Sequence, residues 1–135
     1  MGLLDRLRRR RRLAPVPSYA DDGTLALILT ADDPARADSA VLAAAAASGV
    51  DLTRPLLVRH HLVGLPDEGA VDRARELLGQ DGYVLTVLAG PPYAVRAWRT
   101  QVVTVLSAAQ ERSRMAGLAQ RLGGDVAGYD VLGPG

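Results

Sequence analysis

The pattern of apolar and polar positions is clearest between residues 54 and 88, which read from end to end as strand, helix, strand. Leu56 to Leu65 is a β-rich run broken by Arg59, His60, His61 and Gly64, and it opens on Pro55, which can start a strand but cannot donate within one. Pro66-Asp67 closes the run and puts a carboxylate where it can accept from the first free N–H groups of a helix. Ala70, Val71, Ala74, Leu77 and Leu78 then recur at helical spacing, with Asp72, Arg73, Arg75 and Glu76 off the stripe. The pattern predicts a helix covering one face of a sheet. Gly79 and Gly82 offer positive-φ positions to stop it, and Tyr83 to Leu88 returns as a nearly unbroken apolar strand.

The flanking segments extend this unit. Thr24 to Thr30 is a short apolar run between Asp-rich turns and reads as a strand. Asp33-Pro34 has the form of an N-cap with proline at the first helical position, ahead of an Ala-rich helix to Ser48 that Gly49 ends. Such a helix, with little beyond Val41 and Leu42 to bury, is expected over the domain and not at its centre. Gly90-Pro91-Pro92 predicts a turn, and Tyr93 to Val103 alternates as a strand that pairs antiparallel with 83–89. Thr104 to Leu122 resumes a helical period through Val105, Ala108, Met115, Leu118, Ala119 and Leu122, stopped by Gly123-Gly124. Asp125 to Leu132 makes a last strand with Tyr129 and Val131 facing together. From residue 55 to 132 the order is β-α-β-β-α-β, an α+β, ferredoxin-like arrangement of an antiparallel sheet with two helices on one face, and residues 24–49 add an N-terminal βα extension. That extension is expected to lengthen the sheet or to cover its edge or open face.

Composition narrows the class. At 135 residues the chain suits one domain with a real core, and 48% hydrophobic with 23% charged residues is globular composition. With no Cys, disulfides, thiol nucleophiles and thiolate metal sites are excluded. No stretch approaches the roughly 20 apolar residues of a bilayer span, and Leu13 to Tyr19 is Pro-rich where a secretory signal would be apolar, so a cytoplasmic location is expected. The net charge of +1 conceals an asymmetry: residues 1–20 hold six Arg against one Asp, and residues 21–135 hold ten Arg against fourteen acids. Residues 1–20 therefore read as a basic tail and linker, stiffened by Pro15 and Pro17, and 21–135 as the folded domain. Arg8, Arg9, Arg10, Arg11 and Arg12, beside Leu3, Leu4 and Leu7, form either a solvated tail or a short anchor for an anionic surface of lipid or RNA.

Few side chains suggest chemistry. His60 and His61 point to opposite faces of one strand, so they cannot share a metal ion without distorting it. His60 shares a face with Val58 and Leu62 and is expected in the core, its nitrogens satisfied locally. Arg59 and His61 share the other face, as do Arg96 and Trp98 in the strand from Tyr93. If the helices cover the Val58 and Val95 side, these four meet on the open face, where a ring among cations could stack a nucleobase. The plainer expectation is that this face packs against the preceding βα unit or a second copy of the chain. Asp67, Glu68 and Asp72, and likewise Asp32, Asp33 and Asp38, form acidic groups that could meet a partner, although carboxylates in a first helical turn also suit the macrodipole. No phosphate-binding glycine loop, Gly-x-Ser-x-Gly elbow or cofactor motif is present, so neither an enzyme nor a cofactor is expected.

Several motifs in order carry a family resemblance. Val50-Asp51-Leu52-Thr53-Arg54-Pro55, Val58-Arg59-His60, Pro66-Asp67, Gln80-Asp81-Gly82-Tyr83-Val84, and Leu118-Ala119 with Gly123-Gly124-Asp125-Val126-Ala127-Gly128-Tyr129-Asp130 resemble the RraB family, regulators or inhibitors of ribonuclease E activity, over about residues 35–132. The resemblance implies a ferredoxin-like domain without catalysis of its own, which binds an RNase E-type ribonuclease and lowers its activity. It also implies that His60, Gly82, Gly123, Gly124 and Tyr129 are fold determinants. Gly64 is one residue more than the family's strand carries, which predicts a bulge.

Overall fold

The computed structural model describes residues 17–33 and 36–135. Five strands and three helices follow one another as β1 (Ala26–Ala31), α1 (Asp38–Ala47), β2 (Leu56–Leu65), α2 (Glu68–Gly79), β3 (Val84–Ala89), β4 (Tyr93–Gln101), α3 (Val105–Arg121) and β5 (Asp125–Gly133). The strands form one sheet in the order β1-β5-β2-β4-β3, with every neighbouring pair antiparallel. β2 and β3 both run against β4, so they are parallel to each other with one strand between them. The chain is an α+β protein.

The stretch from β2 to β3 forms as its pattern predicts. Asp67 caps α2, its carboxylate accepting from the Ala70 N–H at 2.8 Å, and Ala70, Val71, Ala74 and Leu78 are buried. The helix runs through Gly79, and only Gly82, at φ +82°, takes the left-handed conformation that turns the chain into β3. The pairing of β2 with β4 slips between Leu62 and Leu65, a bulge around Gly64.

α1 departs from its predicted start. It begins at Asp38 with Ala37 at the cap and no side chain capping it. Asp33 does not cap it, and its carbonyl accepts from Arg36 N–H at 3.1 Å. A short polar residue before proline is compatible with a turn or a helix start, and local sequence does not separate the two. α3 starts in a capping box, Thr104 Oγ1 accepting from Ser107 N–H at 3.0 Å and Ser107 Oγ from Thr104 N–H at 2.9 Å. Val105, predicted on its apolar face, is 49% exposed, because the first turn projects beyond the sheet-facing residues Ala108, Met115, Leu118 and Ala119.

Two apolar clusters share the helix-covered face. One joins Leu62, Val95 and Ala97 of β2 and β4 to α2 and to Met115, Leu118 and Ala119 of α3. The other joins Leu29 and Ala31 of β1, Val41, Leu42 and Ala45 of α1, Val58, Ala108, Tyr129 and Val131. The N-terminal βα unit therefore lengthens the sheet at β5 and adds a helix on the side that already has two. It leaves the opposite face uncovered.

Candidate functional site

That opposite face carries the residues that alternation in β2 and β4 brings together. Arg59 stands directly across from Trp98 on one side and Asp130 on the other, and His61 across from Arg96. Asp130 accepts from Arg59 Nη2 at 2.9 Å and from Thr30 Oγ1 at 3.0 Å, and its Oδ2 lies 2.6 Å from His61 Nε2. Burial opposes its charge, but the hydrogen bonds with His61 and Arg59 outweigh that and hold the carboxyl at about 2. Arg59 also donates through Nη1 to Asp21 at 3.1 Å, and Arg96 Nε lies 3.2 Å from the other oxygen of Asp21, an ion pair without hydrogen-bond alignment. Trp98 donates its indole N–H to Thr86 Oγ1 at 3.0 Å.

The covering of this face comes from a segment with no periodic signal. Residues 19–21 lie across it: Tyr19 N–H donates to Thr100 Oγ1 at 2.8 Å, and the Asp21 side chain is only 4% exposed. The charges of Arg59 and Arg96 are thus answered by Asp21 and Asp130. This patch does not attract phosphate as a bare pair of guanidinium groups beside a ring would. Asp130 could have been noticed as the acid inside an apolar strand, whereas Asp21 lies in a loop and nothing in its neighbourhood marks it.

The acidic groups separate. Asp67 is engaged as a cap, Glu68 is exposed, and Asp72 pairs with Arg75 at 3.2 Å on the outer face of α2. Asp38 turns inward, accepting from Tyr129 Oη at 3.3 Å and pairing with Arg112 at 3.0 Å, so it does not join Asp32 and Asp33 in an outward patch. Arg8 to Arg12 lie outside the described residues. Among the described residues no group of three His, Cys, Asp or Glu is arranged to hold a metal ion, and no helix is long and apolar enough to cross a membrane.

On the helical side, His60 is 3% exposed between the rings of Tyr83 at 6.0 Å and Tyr129 at 5.6 Å. Burial pulls its imidazole down to about 3, so it is neutral at ordinary pH. Contrary to the expectation that both nitrogens would be satisfied locally, Nε2 has no hydrogen-bonding partner among the described residues. Behind α3, Gly123 lies against Pro66, and a Cβ on Gly124 would stand 2.5 Å from the Val63 carbonyl oxygen, so the chain passes β2 here only as glycine.

The model of the RraB family, described as regulator of ribonuclease activity B, matches residues 35–131. The chain belongs to the RraB family. No curated protein and no solved structure matches it. The RraB match runs from just before α1 to Val131 in β5, so it takes in His60, the open-face residues of β2 and β4, and Asp130. β1 and the strap bearing Asp21 lie outside it. The family's description is that of a regulator and names no reaction.

Proposed function

We propose that this chain is a non-catalytic regulator that binds an RNase E-type endoribonuclease in the cytoplasm and lowers its activity, and so modulates RNA decay. The observation that carries this reading is the RraB match over most of the chain. We read β2 to β5 with α2 and α3 as a ferredoxin-like sandwich that presents two surfaces to such a partner. One is the exposed polar side of α2 with Glu68 and Asp72; the other is the open sheet face around Trp98. The charge balance of the open face favours contact with a protein surface over contact with a phosphate backbone.

The test is a reconstituted cleavage assay. A labelled RNA is incubated with purified RNase E-type enzyme and increasing amounts of the full-length chain, and co-elution of the two proteins is followed after nuclease treatment. Falling cleavage together with an RNA-independent complex is the expected result. Unchanged cleavage at saturating chain, with no complex, would overturn the proposal.

A further inference from the structure

A half-open cavity of about 320 Å³ lies between β5 and α3, on the helical side of the sheet and away from the surfaces above. Met115 and Ala116 of α3 and Val126 and Ala127 of β5 supply apolar walls, and His60 lines it as well. Mostly apolar walls with a few polar groups are the usual build of a small-ligand site, and about 150 Å³ already suffices to hold benzene. The polar group is of an unusual kind: an imidazole almost wholly removed from water, one nitrogen of which has no partner among the described residues. Such a group is costly to leave unanswered.

The surrounding charges define the class of ligand. Arg112 lines the same cavity, but its charge is already answered by Asp38 at 3.0 Å, and Asp32 adds a carboxylate to the lining. An anion would therefore find no uncompensated cation there. A neutral imidazole presents one donor and one acceptor nitrogen, and a hydroxyl, being both donor and acceptor, serves either tautomer. Tyr83 and Tyr129 already pack ring against ring with His60, and the Met115 thioether is a favourable neighbour for a further ring.

We propose that this cavity binds a neutral phenol, its ring held among Met115, Ala116, Val126 and Ala127 and its hydroxyl hydrogen-bonded to His60. The phenol is either a free small molecule or the tip of a tyrosine presented by another protein. The site does not depend on the ribonuclease reading, because it rests on the cavity and its lining alone.

The test titrates the full-length protein with p-cresol, toluene and N-acetyltyrosinamide, followed by calorimetry and ligand-observed NMR. p-Cresol is expected to bind at least about tenfold more tightly than toluene, the worth of one well-placed hydrogen bond. His60→Phe should erase that difference while leaving toluene unchanged, and Ala116→Leu, which fills the cavity from its partly exposed side, should abolish both. If His60→Phe does not fold, the contrast between p-cresol and toluene and the Ala116→Leu variant still decide the matter. N-Acetyltyrosinamide binding as well as p-cresol assigns the site to a tyrosine tip, and its exclusion assigns it to a free phenol. Equal affinity for p-cresol and toluene, undiminished binding by Ala116→Leu, or no p-cresol binding at millimolar concentration would each overturn the proposal.

Discussion

Asp130 reaches water with only 11% of its side chain and lies between Arg59 and His61. Its folded-state value of about 2 is below the ordinary 3.8, so the unfolded chain takes up the proton first as pH falls. The stability this group contributes is complete above about pH 4 and is lost as pH drops toward 2, about 2 kcal/mol in all at roughly 1.4 kcal/mol per unit. Asp130→Asn should flatten that acid limb in denaturant titrations run at successive pH values; an unchanged limb in the variant would show that the carboxylate is not what titrates. It should also lower stability near neutrality by about 1–3 kcal/mol, because Arg59 and His61 lose a charged acceptor. Gly124 makes a steric prediction. With the Val63 carbonyl 2.5 Å from where a methyl group would stand, Gly124→Ala forces backbone apart and should cost about 1–3 kcal/mol, seen as a lowered thermal midpoint. Alanine at Gly79, where a Cβ meets nothing within 4 Å, is the control that should leave the midpoint near or above that of the parent.

Among the elements, the strap at residues 19–21 is tied to the sheet by the Tyr19 amide on Thr100 and by one carboxylate, that of Asp21, shared between β2 and β4. Asp21→Ala removes the counter-charge of Arg96 and half of that of Arg59. The Tyr19 amide, bonded to Thr100, should then exchange its hydrogen much faster, while amides in α2, remote from the strap, keep their protection. Equal protection of Tyr19 in parent and variant would mean that the strap is held by something other than Asp21. The edge strand β3 shows that apolar composition and burial are different properties. Val84, Val87 and Leu88 belong to a nearly unbroken apolar run, yet each is 44–48% exposed, because β3 has a neighbour on one side only: Val84 and Leu88 share the face of Trp98, away from the helices, and Val87, opposite Val95 on the helical side, lies at the margin of α2.

For the molecule as a whole, the family match and the folding unit do not coincide. β1 lies before the match, yet Leu29 and Ala31 are buried in the second cluster and β1 pairs with β5 along its length. A chain beginning at residue 17 keeps every contact among the described residues and should retain its thermal midpoint and, on the proposed function, any effect on the ribonuclease. A chain beginning at residue 32 loses β1, uncovers the edge of β5 and strips one side of α1. It should melt at a clearly lower temperature or aggregate. Retained stability in the shorter chain would show that β1 is an appendage. Loss of nuclease regulation in the longer one would move the interaction to the Arg-rich segment.

Periodicity alone determined most of the elements and which side of each is apolar, since a strand repeats every two residues and a helix every 3.6 and burial imposes that repeat on the side chains. The same alternation put Arg59, His61, Arg96 and Trp98 on one face, and a run of spaced motifs made the RraB family legible in the sequence itself. Only the tertiary structure decided what those side chains meet. Asp21 and Asp130 come from positions 38 and 71 residues away from Arg59, and no local pattern encodes a contact at that separation. The start of α1, the edge position of β3 and the partnerless nitrogen of His60 are of the same kind. Each depends on which segment lies alongside, and that is settled by how the whole chain closes around its core.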